Sequence, residues 1–151
     1  MNQFNHTITV RASISAVYQQ WTRLEYFPNV MEAVEAVTQL TDIESLWRVQ
    51  IMGVTREWKS QIVDQIPNSR ITWTSTSGAK HAGTVSFHAV DARTTRVTLD
   101  IEYAPADWKE SLGSEIGILD YHIKRDLKSY KSYIESRTQV SGIWRIARST
   151  D

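Results

Sequence analysis

The sequence predicts an α+β domain in which an antiparallel sheet curves against one long C-terminal helix. Three observations favour this fold. Four amphipathic strand patterns follow one another over 56–105, and one apolar stripe at helical spacing runs over about 109–137. A first strand and two short helices are predicted before them. A curved sheet closed by one helix encloses an apolar space, so the pattern indicates a container for a small molecule.

The composition indicates one soluble globular domain. The chain has 151 residues, of which 41% are hydrophobic and 23% are charged. Lys and Arg total 17, as do Asp and Glu, so no net field attracts nucleic acid or an anionic membrane. Cysteine is absent, which excludes disulfides, thiol catalysis and thiolate metal sites. With no signal-like N-terminus and no apolar run near the roughly 20 residues that span a bilayer, we expect a cytoplasmic protein without stable membrane insertion.

The first part of the chain reads as one strand, two short helices and two more strands. In order, they are predicted over 4–11, 14–22, 24–31, 33–40 and 46–52. Ser13 is suited to cap the first helix, because its hydroxyl can accept from the first-turn backbone N–H groups. Pro28 prevents the two helical patterns from joining into one.

The next four strands alternate with period two, over 56–67, 69–78, 82–90 and 94–105. Apolar side chains occupy one face, and threonines and charged residues such as Asp100 and Glu102 occupy the other. This is typical of an antiparallel sheet with one solvated side. With the three strands predicted earlier in the chain, these four give a predicted sheet of seven strands.

The last helix carries an apolar stripe at spacings of three and four, formed by Leu112, Ile116, Leu119, Ile123, Leu127, Tyr130 and Ile134. Gly113 and Gly117 interrupt its start, and each costs about 1 kcal/mol relative to alanine in a helix interior. Two readings stay open: the glycines leave room for a ligand, or they allow close packing or a frayed helix start. We assign 1–138 to one domain and 139–151 to a partly disordered tail.

The candidate ligand-binding residues come from the inferred inner faces of the strands and from the last helix. Large amphipathic aromatics suit pockets for flat or apolar molecules, although each one alone also suits a bulky core. Arg56 shares their parity, so it either lies at the mouth of the space or pairs with a carboxylate. The predicted set is Trp47, Arg56, Trp58, Trp73, Phe87, Leu99, Tyr103, Ile116 and Leu119.

No catalytic or metal site can be assembled from the sequence. The histidines are scattered without ligand-like spacing, and no nucleophile elbow or phosphate-binding loop is present. His81 is predicted to lie in an exposed loop, whereas His122 lies beside the helix stripe, at the edge of the cavity or within reach of it. We therefore predict no catalytic residue, no metal and no cofactor.

Several short motifs, in this order and spacing, resemble the polyketide cyclase/dehydrase-like branch of the START/Bet v 1 helix-grip superfamily. They are a W-to-P segment, R-E-W, P-x-x-R-I-x-W, G-x-V-x-F and T-x-V-x-L, at 21–28, 56–58, 67–73, 83–87 and 95–99. The resemblance covers most of the chain. It implies the helix-grip fold, with seven antiparallel strands gripping the C-terminal helix, and an apolar cavity between them. The superfamily includes carriers of lipids, quinones and hormones as well as catalysts.

The sequence thus favours binding of a hydrophobic small molecule (a lipid, a polyketide or an aromatic compound) in this cavity. Two alternatives remain: a polyketide cyclase/dehydratase, with Arg56 and His122 as its candidate groups, or an interaction module whose cavity has collapsed. We lean away from an enzyme. We expect no nucleic-acid partner, and the sequence leaves the oligomeric state open.

Overall fold

The computed structural model describes residues 2–51, 53–104 and 113–147. The first part of the chain forms strand β1 (Asn2–Val10), helix α1 (Ile14–Thr22), a single 3₁₀ turn (Leu24–Tyr26) and helix α2 (Phe27–Val30). Strands β2 (Val34–Gln39) and β3 (Glu44–Ile51) follow. The Ser13 hydroxyl accepts from the Ala16 backbone N–H at 3.2 Å, which confirms the predicted cap of α1.

The remaining elements are four strands and one long helix. They are β4 (Val54–Ile66), β5 (Arg70–Gly78), β6 (Lys80–Asp91), β7 (Thr94–Ala104) and α3 (Gly113–Ala147). The strands form one seven-stranded antiparallel sheet in the order β1-β7-β6-β5-β4-β3-β2. The predicted α+β helix-grip fold is therefore confirmed, with the two short helices after the first strand.

Two predicted boundaries are wrong. Strand β6 begins at Lys80, so His81 lies in a strand and not in a loop. Gly78 has φ 82°, a left-handed conformation that glycine adopts without steric cost and that allows the short connection between β5 and β6. Helix α3 also continues past the predicted end at Arg137, as far as Ala147. The predicted start at 109–112 lies outside the described residues, and the division into a domain and a tail stays a prediction.

One end of the space between the sheet and α3 is filled by side chains. We call it the packed end and define it by Tyr18, Phe87, Val97 and Tyr130, all of which are buried. The rings of Tyr18 and Phe87 meet edge to face at 5.5 Å between centroids. The Tyr130 hydroxyl donates to the Val17 carbonyl at 2.8 Å, and burial raises the pKa of Tyr130. Helix α1 thus covers the sheet here and packs against α3.

No helix in the described part of the chain combines the length and apolar character needed to cross a membrane.

Candidate ligand-binding cavity

The other end of this space holds a cavity of about 250 Å³, which we call the cavity end. Aromatic side chains from the sheet form one wall, and Leu119 and Ile123 of α3 lie on the helix side. Because inward-facing residues of neighbouring strands lie side by side, the period-two pattern brings the sheet aromatics together. These lining aromatics are Trp47, Trp58, Trp73 and Tyr103.

The tryptophans of β3 and β4 form a stacked pair. Trp47 and Trp58 are register partners, and their rings are parallel within 1° with centroids 6.3 Å apart. Phe27 of α2 meets the edge of Trp47 at 5.4 Å, and Tyr103 of β7 meets Trp58 at 6.2 Å. Each ring therefore packs against another ring as well as facing the cavity, which restricts its movement.

His81 lies among these rings. Its ring centroid is 4.8 Å from Trp58, 6.0 Å from Trp73 and 6.2 Å from Tyr103. The Trp73 indole Nε1–H donates to His81 Nε2 at 3.2 Å. Burial lowers the pKa of His81 to about 4, so the ring is neutral at pH 7. The expectation that His81 is exposed is wrong: the residue is half-buried and lines the cavity.

A buried carboxyl group lies on the helix side of the cavity. Asp126 is only 4% exposed, and its two oxygens accept from the backbone N–H groups of Glu32 and Ala33, both at 3.1 Å. Burial raises the pKa of Asp126, and the two backbone donors oppose that shift. Asp126 therefore ties α3 to the segment between α2 and β2, at the edge of the cavity.

The predicted site residues separate into two groups. Those that line the cavity are Trp47, Trp58, Trp73, Leu99, Tyr103 and Leu119. Phe87 is buried at the packed end and is not among the described residues that line the cavity. Six residues separate it from His81, which is about 20 Å along a strand. Arg56 is half-buried in β4 and is not among the described residues that line the cavity, and the side chain of Ile116 lies outside the described part.

Several polar residues of the cavity were absent from the predicted set, and the sequence contained a signal for three of them. His81 has the same parity in β6 as Val85, which is buried. His122 and Asp126 are four residues apart in α3, so they share the helix face that carries Leu119. Gly117 is exposed, and a Cβ there would meet no described residue within 4 Å, which favours the reading that it leaves open space.

Among the residues that the structure describes, no group of three or more His, Asp or Glu side chains could hold a metal ion.

Comparison with known families matches residues 10–128 to the family described as polyketide cyclase / dehydrase and lipid transport. The chain belongs to this family. It is 36% identical over 146 residues to an uncharacterized 17.2 kDa protein of Streptomyces lincolnensis, covering 96% of this chain and 97% of that protein. The resemblance seen in the sequence motifs is thereby confirmed.

Solved structures share the fold at low sequence identity. The Zhui aromatase/cyclase from Streptomyces sp. R1128 superposes with a TM-score of 0.81 at 18% identity, over 93% of this chain and 98% of that one. A START superfamily protein from Mycobacterium smegmatis gives 0.72 at 14% identity, over 91% and 97%. At these identities the likeness establishes the fold alone, and the function must be argued from the cavity.

Proposed function

We propose that this protein binds a hydrophobic small molecule of about two fused rings in the cavity between the sheet and α3. The observation that carries the proposal is the wall itself: Trp47, Trp58 and Trp73 on one side and aliphatic side chains of α3 on the other. Flat apolar surfaces of this kind suit an aromatic or polyketide-like ring system. The family description, which names polyketide chemistry and lipid transport, supports the same ligand class.

The size of the cavity limits the ligand. An apolar cavity of about 150 Å³ can hold benzene, and pockets for drug-sized ligands usually run from about 300 Å³ upwards. At about 250 Å³, this cavity falls between the two. A bicyclic compound fits that range, whereas a long acyl chain would have to extend through the mouth.

Apolar contacts alone would give weak binding. Burial of about 200 Å² of ligand surface contributes about 5 kcal/mol before the costs of association, and a millimolar Kd already corresponds to about 4 kcal/mol. Polar groups of the cavity must therefore add affinity and choose among apolar ligands. His81, His122 and Asp126 are candidates because they line it.

Tryptophan fluorescence tests the proposal directly, because four indoles line the cavity, those of Trp21, Trp47, Trp58 and Trp73. The protein is titrated with two-ring and three-ring aromatic compounds, polyphenols and fatty acids, with free tryptophan amide as the control for inner-filter effects. We expect a saturable change with one-to-one stoichiometry for at least one bicyclic compound. No saturable change across the whole panel would contradict the proposal.

A second candidate function is cyclase/dehydratase catalysis, favoured by the histidines and the carboxyl group on the cavity wall. An N–H group placed against a ketone oxygen would stabilise the enolate that forms during ring closure. Arg56, the other group considered for this role, is not among the lining residues in the described part of the chain. The test follows the products of a poly-β-keto thioester mimic by mass spectrometry. Loss of water that is faster with the protein and slower with His122→Phe would support catalysis, and unchanged rates would exclude it.

The third reading, an interaction module with a collapsed cavity, is not favoured by the open volume of about 250 Å³ between sheet and helix.

A further inference from the structure

Arg125 fixes the position of the proton on His122. Its Nη2 atom lies 2.8 Å from His122 Nδ1. A guanidinium group can only donate hydrogen bonds, so Nδ1 must accept. A neutral imidazole that accepts at Nδ1 carries its proton on Nε2. His122 is thereby a hydrogen-bond donor through Nε2–H.

The guanidinium group is itself held by neighbours other than His122. Its Cζ atom lies 5.7 Å from the centre of the Tyr121 ring. Its Nη2 is 3.4 Å from Glu32 Oε2, and its Nε is 3.7 Å from Asp126 Oδ1. Asp126 is fixed in turn by two backbone N–H groups. Arg125 is therefore placed before any ligand binds, and no reorganisation is needed to orient His122.

The Nε2–H group is what His122 can offer to the cavity. The half-buried ring lines the cavity and has its Nδ1 occupied by Arg125, and Nε2 makes no hydrogen bond to a described residue. The tautomer of His81 is fixed by a similar contact. The indole N–H of Trp73 can only donate, so His81 Nε2 accepts and the His81 proton lies on Nδ1. Both cavity histidines thus carry their proton on the nitrogen that these partners leave unused.

We propose that Arg125 acts as a positioning residue that locks His122 as an N–H donor to a carbonyl oxygen of the cavity's ligand. This deepens the proposed function and rests on it. The ligand class is a neutral bicyclic ketone or quinone. A protonated amine would place N–H against N–H, and a carboxylate would enter a cavity that already contains the Asp126 carboxyl group.

Nitrogen NMR of histidine-labelled protein tests the lock without any ligand. We expect His122 Nε2 to give the signal of a protonated nitrogen and Nδ1 that of an unprotonated one. Arg125→Met should shift the ring towards a mixture of both forms. Arg137→Met is the matched control, because that guanidinium lies over Tyr133, 5.1 Å from its ring centre, on the same helix. A proton on Nδ1 in the wild-type protein would overturn the proposal.

A matched pair of ligands tests the carbonyl assignment. 1-Tetralone and tetralin share one bicyclic skeleton and differ only in the ketone. We expect the wild-type protein to prefer tetralone by about three- to tenfold in Kd, the range for one net hydrogen bond. In His122→Phe the preference should reverse, because the ketone then loses its water without gaining a donor. His122→Gln, which keeps an N–H donor, should restore part of the preference.

The infrared stretch of the bound ketone provides a readout that a purely structural role of His122 would not change. It should lie at lower frequency in the wild-type protein than in His122→Phe. If that variant does not fold, the wild-type spectrum is compared with tetralone in an apolar solvent. A preference for tetralone that survives in His122→Phe, or an unshifted stretch, would overturn the carbonyl assignment. If neither compound binds but another bicyclic compound of the panel does, the carbonyl assignment fails and the proposed function stands. If no compound of the panel binds, the proposed function fails too, while the nitrogen spectrum still tests the position of the His122 proton.

Discussion

The two ends of the space between the sheet and α3 use the same kinds of residue and differ in packing. At the packed end, Tyr18 of α1 meets Phe87 edge to face, and Tyr130 of α3 is fully buried. At the cavity end, Trp47 and Trp58 stack on one another and leave about 250 Å³ open. The difference teaches that side chains fill the space where α1 packs Tyr18 against Phe87, whereas the C-terminal end of the same helix, at Trp21, borders the open volume.

The largest effect is expected from Phe87→Ala at the packed end. Truncation of a buried phenylalanine costs about 3–5 kcal/mol, because it removes apolar contacts and leaves a void. Ile62→Ala on the cavity wall should cost less than about 2 kcal/mol, since its half-buried side chain already faces open space. Urea unfolding measures both free energies. Equal losses at the two positions would break the comparison between the ends.

Acid should destabilise the protein through His81. Burial lowers its pKa from the ordinary value of 6.5 to about 4, so the folded state favours the neutral ring and the unfolded state binds the proton more tightly. This group should therefore not reduce the free energy of unfolding above about pH 6.5. As the pH falls towards 4, its protonation should lower that free energy by about 3 kcal/mol. The raised pKa of Asp126 acts in the opposite direction, since its protonation favours the folded state.

Substitution separates the His81 contribution from the other groups. His81→Phe should be less stable than the wild-type protein at pH 7, because Trp73 loses its acceptor, but its stability should fall less in acid. His88→Phe, at an exposed position of the same strand, should keep the wild-type decrease. Urea unfolding at pH 7 and pH 4.5 gives both values. If the free energy of unfolding decreases equally in His81→Phe and His88→Phe, the His81 ring is not the cause of the destabilisation by acid.

The smallest effects are expected from a pair of glycine substitutions with opposite signs. A Cβ at Gly83 would lie 2.5 Å from the Trp73 ring, so Gly83→Ala should displace that indole and cost about 1–3 kcal/mol. A Cβ at Gly117 meets no described residue within 4 Å, so Gly117→Ala should stabilise α3 by about 1 kcal/mol. Thermal unfolding measures both. If Gly117→Ala destabilises the protein, the open space beside that glycine is in doubt.

Much of the fold could be predicted because alternation along a strand fixes which side chains share a face. The inner positions of Trp47, Trp58 and Trp73 follow from that rule and from the antiparallel register. Alternation does not say how far along a strand the core ends. Phe87 has the correct parity, yet its position beneath α1 depends on how that helix packs on the sheet.

Other features depended on local geometry that residue patterns describe poorly. The left-handed Gly78 shortened the connection before β6 and brought His81 into the cavity wall. The tautomers of His81 and His122 depend on donor-only neighbours, Trp73 on the adjacent strand β5 and Arg125 one helical turn away. The predicted cytoplasmic location and the absence of a nucleic-acid partner rest on composition and remain predictions.

Filling the cavity tests the central claim most directly. Ser60 is buried and lines the cavity, so a leucine there would occupy much of the open volume. Ser86→Leu introduces the same side chain on the opposite face of the sheet. We expect 1-tetralone, titrated by tryptophan fluorescence, to bind the wild-type protein and Ser86→Leu with equal Kd, and Ser60→Leu at least about tenfold more weakly. Binding to Ser60→Leu that matches the wild-type protein would contradict the account.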